Sequence, residues 1–373
     1  MRITIDALPL LFRSAGVKNY LYYWIQHLQR EPGADVRLFP APVKTEALDH
    51  RKTLAGPAST FFRLGLFYFM NRLPASFSQP WFRGTDVFHA TRILHPPRRA
   101  RLTATIHDLT CWLLPGAHLP ANVAFEQRYG ETIWKRADGL IAVSESSRRD
   151  AVRLLGIQPE KIQVIYPGIP DGYFSIDPAD VAQTRRALRI ERPYLLYVGT
   201  IEPRKNVDLM LDAYSDLAPS LSAEFDLVIA GSHGWASEAT MQRLQSAPRG
   251  VRYLGYVAEG RLPALFAGAA AFVFPSLYEG FGFPVAQAMA AGVPVITSSV
   301  SSLPEITGGA AALVDPRSRA ELRDAMERVL TSAPLRAELA EKGRMRAREF
   351  SWPRAAAQSM QFFSRVAAGP GRG

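Results

Sequence analysis

The sequence predicts an α/β chain built as two doubly wound parallel-sheet domains, and three observations carry that expectation. Short apolar runs alternate with longer runs of helical period along most of the chain. The alternation pauses in a proline- and charge-bearing stretch, residues 166–192, and then starts again. Several of the apolar runs end in glycine-bearing loops. Strands alternating with helices imply parallel sheets covered on both faces, and ligands of such sheets sit beyond the carboxyl ends of the strands.

In the first half, residues 3–5 read as a strand and 16–28 as a helix, with Tyr20, Trp24 and Leu28 on one face. Residues 36–39, 87–89 and 103–106 read as short strands and 126–136 as a helix. Residues 139–143 form a strand ending at Ser144, and 162–165 a last strand before the linker at 166–192. In the second half, strands are expected at 194–198, 225–230, 251–254, 271–274 and 293–296, with a further short one at 313–314. Residues 207–216 are helical, and 319–350 read as one strongly charged helix. Ser351, Trp352 and Pro353 break it, and 354–366 resumes. These elements place one domain at 1–170 and a second at 190–350, with a terminal helix at 351–368.

A chain of 373 residues is long for one domain and short for three. Hydrophobic content of 47% and charged content of 21% fit a soluble globular protein. The single cysteine, Cys111, excludes an internal disulfide. The start, MRITIDALPL, reads as a first strand rather than a secretion signal, and no run reaches the roughly 20 apolar residues that span a bilayer. The net charge of +10 is uneven: residues 51–100 hold eight Lys and Arg against one Asp. Aromatics interleave with those cations, at residues 61–70 and at Trp81, Phe82 and Arg83. That mixture suits either a surface resting on anionic lipid headgroups or a core helix with solvated arginines. Nucleic acid is not an expected partner, because no zinc spacing or RNA-binding motif is present. No set of histidines and carboxylates has metal-ligand spacing, so no metal is expected.

The most informative stretch is 276–297, SLYEGFGFPVAQAMAAGVPVIT. It reads as the end of a strand, a glycine loop, a helix and another strand. Pro284 suits a first helical position, and a helix start behind Gly280 and Gly282 offers N–H donors and a positive dipole end to an anion. Glu279 beside such a cradle suits hydroxyls better than phosphate, so the pair of features points to a nucleotide-sugar. Residues 199–206, GTIEPRKN, also follow a strand. Adjacent Arg204 and Lys205 fit a diphosphate, arginine as a fork and lysine as a point charge; the bland alternative is a solvated basic turn. Ser14, Ala15 and Gly16 form a weaker glycine turn. His107, at the end of residues 105–108, either contacts a sugar hydroxyl or makes a structural pair with Asp108.

At these residues the chain resembles the retaining glycosyltransferases of GT-B fold, specifically glycosyltransferase family 4. The matching segments are 199–206, 254–257 (LGYV), 274–276 (FPS), 279–284 (EGFGFP), 292–295 (GVPV) and 303–305 (LPE), with Gly16, His107, Asp108 and residues 143–146 (VSES) matching more loosely. The resemblance implies two Rossmann-like domains with a cleft between them, and a C-terminal helix that returns to the N-terminal domain. It implies that Gly16 packs against the distal phosphate, that His107 contacts the donor sugar, and that Arg204 and Lys205 bind the diphosphate. It places the base near Tyr256 and Val257, a donor-sugar hydroxyl on Glu279, and sugar or phosphate on the amides of Gly282 and Phe283. Two positions depart from the family. Gln287 stands where a second glutamate usually clasps the ribose, and Thr200 stands where some relatives have arginine. An amide offers one acceptor oxygen where a carboxylate offers two, a change of about 1 kcal/mol.

The expected activity is hexose transfer from a nucleoside-diphosphate sugar to an acceptor hydroxyl with retained configuration, in cell-surface polysaccharide synthesis. GDP-mannose is the first donor on resemblance, and a UDP-hexose the next. The expected acceptor is a glycan or a polyprenyl-diphosphate-linked glycan, held by the N-terminal domain. The expected location is the cytoplasm, peripheral on the inner membrane face. The rival readings are a catalytically impaired scaffold, marked by Gln287, and a basic nucleic-acid-binding protein.

Overall fold

The computed structural model describes residues 1–11, 16–40, 82–246 and 249–369, and within 41–81 only positions 62, 65, 68 and 71. The chain divides into two compact units: Met1–Trp112, Ala121–Gly168 and Ser351–Gly373 form the first, Leu113–Pro120 and Ile169–Phe350 the second.

Unit 1 is built on six strands: β1 (Arg2–Asp6), β2 (Asp35–Phe39), β3 (Val87–Ala90), β4 (Arg101–Ile106), β5 (Gly139–Ala142) and β6 (Ile162–Val164). All neighbours pair in parallel. The order is β2-β1-β3-β4-β5-β6, so the winding direction reverses between β1 and β3. Every residue of β3 and β5 is buried, as expected for parallel strands covered on both faces. Helix Gly16–Leu28 buries Tyr20, Trp24 and Leu28. It packs on the terminal helix Trp352–Ala368, where the Trp24 indole N–H donates to Ser359 Oγ at 2.9 Å. Ser351 caps that terminal helix by accepting from the Arg354 N–H, and Pro353 sits in its first turn.

Unit 2 repeats the plan with β7 (Tyr194–Val198), β8 (Asp226–Ala230), β9 (Val251–Gly255), β10 (Ala271–Phe274), β11 (Val295–Ser298) and β12 (Ala311–Val314). Its strands are again parallel. The order is β12-β11-β10-β7-β8-β9, with the reversal between β7 and β10. Stacked rings of Tyr197, Phe274 and Phe272 fill the space beneath that junction.

Three expectations change. The stretch at 166–192 is not a bare linker: helix Pro178–Ala187 starts there, capped by Asp177 with Pro178 in its first turn. Pro178 marks a helix start, and Pro170 precedes a 3-10 turn at Asp171–Tyr173. The expected helix at 126–136 begins earlier, at Pro120–Tyr129, and passes into a π-helical turn, Gly130–Trp134. The charged run 319–350 is two helices, Arg319–Thr331 and Ala333–Ala347. Ser332 ends the first in extended conformation and caps the second through the Leu335 N–H. Most of the basic, aromatic segment, including Arg63, Arg72 and Trp81, lies outside the described residues. Among the described residues no helix is long and apolar enough to cross a membrane.

Strand ends in unit 2 approach closely where the loops begin. A Cβ placed on Gly231 would lie 1.8 Å from the Gly199 carbonyl oxygen, a backbone atom that cannot move aside. Gly231→Ala is expected to lower stability by about 1–3 kcal/mol, read as a fall in the urea midpoint without a change in slope.

Candidate functional site

The loops that follow β7 and β10 meet at the reversal of strand order in unit 2, the position where open α/β sheets gather ligands. The β7 loop makes a short 3-10 turn, Pro203–Lys205, and ends at Asn206 in left-handed conformation (φ 60°). Asn206 is suited to that conformation, and its side-chain amide ties the loop down by donating to the carbonyls of Pro275 and Pro316, at 3.1 and 2.7 Å. The Leu277 N–H donates to the Arg204 carbonyl at 2.8 Å, joining the two loops directly.

Four charged side chains converge there. Lys205 Nζ lies 2.5 Å from Glu279 Oε1 and 5.0 Å from the centre of the Phe274 ring. Arg204 Nη1 lies 3.2 Å from Glu279 Oε2 and donates to the Tyr278 carbonyl at 3.1 Å. Arg204 Nε lies 2.7 Å from Glu202 Oε1. Glu202, Lys205 and Glu279 are buried, and the Arg204 side chain nearly so. Burial alone would raise the Glu279 carboxyl. The Lys205 ammonium, then the Arg204 guanidinium and hydrogen bonds from Lys205 and Ser276, hold it down to about 2. Burial and then the Arg204 guanidinium push the Lys205 ammonium below its ordinary value, against Glu279 and Glu202. Burial, then Glu202 and Glu279, push the Tyr197 phenol beneath them well up.

Glu279 is therefore an ionised acceptor whose capacity is nearly used. Oε1 accepts from the Lys205 ammonium and the Ser276 hydroxyl, and Oε2 is ion-paired with Arg204. Oε2 therefore keeps acceptor capacity for a hydroxyl of a ligand. The Glu279 main chain is also held: its N–H donates to Ser301 Oγ at 3.0 Å, and Ser302 Oγ donates to its carbonyl at 2.9 Å. Helix Phe283–Ala290 starts just beyond, after Gly282 in left-handed conformation (φ 94°). A Cβ on Gly282 would meet the Leu303 side chain at 2.7 Å, so both conformation and packing require glycine there.

The structure brings together Arg204, Lys205, Glu279, Gly282 and Phe283. Thr200 lies in the same β7 loop, where its carbonyl accepts from the Tyr197 hydroxyl. Gln287 sits in the helix after Gly282 and is 4% exposed. Tyr256 and Val257 follow β9 at the same sheet edge, two strands from β7. Gly16 and His107 belong to unit 1. Ser14 and Ala15 lie outside the described residues; a Cβ on Gly16 would meet nothing within 4 Å, so packing inside the chain does not demand glycine there. His107 ends β4 with its ring edge-on to Tyr20 at 4.9 Å. Burial lowers it, Asp108 opposes and Arg92 adds, leaving it neutral at about 4. Sequence reasoning missed Glu202, Ser276 and the Ser301–Ser302 pair. Glu202 stood inside the motif already singled out, but its pairing with Arg204 depends on how the loop turns. Among the described residues, no three His, Cys, Asp or Glu are gathered as metal ligands.

Paired doubly wound sheets with this loop cluster at the second reversal point define a GT-B glycosyltransferase. The family described as glycosyl transferases group 1 matches residues 180–346, and glycosyltransferase family 4 matches residues 14–172. The chain is 31% identical over 280 residues to the O-antigen chain mannosyltransferase B of Escherichia coli, covering 74% of each. It is 28% identical over 239 residues to the serotype-specific mannosyltransferase WbdA of Escherichia coli, spanning 62% of this chain and 29% of that protein. Among solved structures, sucrose-phosphate synthase from Thermosynechococcus elongatus superposes with a TM-score of 0.75 at 22% identity over 99% of both chains. Anabaena HepE in complex with UDP and glucose gives 0.72 at 17% identity over 98% and 99%. The chain belongs to glycosyltransferase family 4.

Two imidazoles of unit 1 set an acid limit on stability. Burial, then His107, brings His89 down to about 3, and His107 stands at about 4. The unfolded chain takes up these protons near 6.5, so the stability they confer is fully present above that pH and lost as pH falls toward 4 and 3. The urea midpoint is expected to fall between pH 6.5 and 4; a midpoint flat over that window would mean that the rings are charged in the fold.

Proposed function

We propose that this glycosyltransferase moves a mannosyl residue from GDP-mannose to a hydroxyl of a cell-surface glycan, with retention of anomeric configuration. The observation that carries the reading is the meeting of Arg204, Lys205 and Glu279 at the β7/β10 reversal. A diphosphate entering there exchanges carboxylate partners for phosphate oxygens on two cations already fixed in place, the pre-set electrostatics that stabilise a leaving group. The start of helix Phe283–Ala290 adds its dipole. Glu279, engaged by Lys205, Arg204 and Ser276, is suited to hold a sugar hydroxyl rather than to attack carbon. Departure of the diphosphate and attack by the acceptor on the same sugar face then accounts for retention without a protein nucleophile. Mannose follows the mannosyltransferase names of both relatives, and the glycan acceptor follows the O-antigen chain named for one of them.

The test is thermal stabilisation by a panel of GDP-, UDP- and dTDP-sugars. A ligand specific for the native state stabilises it by about 2.7 kcal/mol at a hundredfold excess over Kd. GDP-mannose is expected to give the largest rise in Tm, and Lys205→Ala to abolish it; a rise that survives the substitution rejects the diphosphate assignment. One residue favours a second reading, an impaired scaffold: Gln287 replaces the carboxylate that would clasp a ribose diol. Gln287→Glu is expected to tighten GDP binding about fivefold, the equivalent of about 1 kcal/mol. Transfer by the native chain would exclude the impaired reading.

The same proposal places the protein on an anionic membrane surface. Phe62 and Tyr68 are helical and 72% and 52% exposed, within the segment rich in arginine. Flotation with anionic vesicles is expected, weakened by added salt and by the double change Phe62→Ser and Tyr68→Ser; equal recovery with neutral vesicles would remove this part of the reading.

A further inference from the structure

Unit 1 has its own reversal of strand order, between β1 and β3, and a second polar cluster is built on it. Asp6, the last residue of β1, is fully buried. Its Oδ1 accepts from the Leu8 N–H at 3.2 Å. Its Oδ2 accepts from the N–H groups of Thr91, Arg92 and Ile93 at 3.1, 2.7 and 2.9 Å, and the Thr91 hydroxyl donates to its carbonyl at 2.9 Å. One carboxylate thereby fixes the loop after β3 and the starting point of the Arg92 side chain. The Arg92 guanidinium lies 4.9 Å over the Phe125 ring, and its Nη1 is 3.3 Å from Glu126 Oε1. Phe125 and Glu126 come from helix Pro120–Tyr129, immediately before the π-helical turn, a distortion frequent at functional sites. The Arg92 and Glu126 side chains keep 37% and 28% of their exposure, so a ligand can reach them.

We propose that Arg92 and Glu126 form an acceptor subsite for a neutral, hydroxyl-bearing pyranoside, with Asp6 as the residue that positions Arg92. The proposal rests on the glycosyltransferase reading and names the class of acceptor group that this unit holds. Charge decides between a sugar and a phosphate. Among the described residues the Arg92 guanidinium acts here with the carboxyl groups of Asp6, Asp108 and Glu126, whereas the unit 2 cluster offers two adjacent cations. Among those residues a dianion would meet more carboxylate than guanidinium charge. A sugar edge meets a matched set: guanidinium N–H donors for one hydroxyl oxygen, a carboxylate for a neighbouring O–H, and an aromatic ring close by.

The test uses the full chain and saturation-transfer NMR with three neutral probes, the methyl pyranosides of mannose, glucose and N-acetylglucosamine, and one anionic probe, α-mannose 1-phosphate. At least one neutral probe is expected to bind the native chain, with affinity reduced tenfold or more by Arg92→Lys, which keeps charge and loses the fork, and by Glu126→Gln. Asp6→Asn is expected to give the same loss while GDP-induced stabilisation stays native; a purely structural role would lower Tm and leave glycoside affinity unchanged. The proposal falls if no neutral probe binds, if Arg92→Lys and Glu126→Gln both keep native affinity, or if mannose 1-phosphate binds more tightly than every neutral probe. Binding of a glycoside without any response to nucleotide-sugars would instead reject the donor assignment and leave this subsite standing.

Discussion

The Lys205–Glu279 ion pair is the interaction on which the loop cluster of unit 2 depends. It joins the loops of two strands that are neighbours in the sheet and 74 residues apart in the chain. Buried charges persist only when paired and hydrogen-bonded, and here each partner is supported. Glu279 is held through its side chain by Ser276 and through its main chain by Ser301 and Ser302. Lys205 packs its ammonium over Phe274. Arg204 is shared between Glu202 and Glu279. The resulting balance of two cations against two carboxylates explains how these charges stay buried.

The two units use one topological device for different chemistry. In each, the strand order reverses between two adjacent strands, and the loops leaving those strands are tied to each other. Unit 2 fills the opening with an arginine and a lysine from one loop and a glutamate from the other. Unit 1 fills it with a carboxylate that spends its hydrogen-bonding capacity on the backbone of the neighbouring loop. The first arrangement presents charge, and the second presents geometry. That contrast follows from the residues at the strand ends, Asp6 in one case and the 199–206 loop in the other, since the sheets themselves are alike.

Neutral histidine in unit 1 belongs to the same economy of water. His89 is fully buried with both ring nitrogens within 3.0 Å of the hydroxyls of Thr103 and Thr105, and its ring packs on Trp24. His107 lies one strand over, against Tyr20. The helix that carries Tyr20 and Trp24 is clamped by the chain terminus through Trp24 and Ser359, so distant sequence stabilises the wall behind the histidines.

Much of this was legible in the linear chain because it is local. Strand-loop-helix alternation gave both sheets, and glycine with proline at 280–284 marked a helix start whose left-handed Gly282 the structure then required. The adjacency of Arg204 and Lys205, and the unusual Gln287, could be read directly. Readings that leaned on composition fared worse: prolines made 166–192 look like a linker, and continuous charge hid the break at Ser332. What only the tertiary structure decided is which distant groups meet. Glu202 turns onto Arg204, Ser301 and Ser302 reach the Glu279 main chain, and Asp6 binds residues 85 to 87 positions away. Local pattern specifies elements, because helix and strand periods are written in neighbouring residues. Hydrogen-bond partners across parallel strands are set by sheet order, a property that no segment of the chain carries alone.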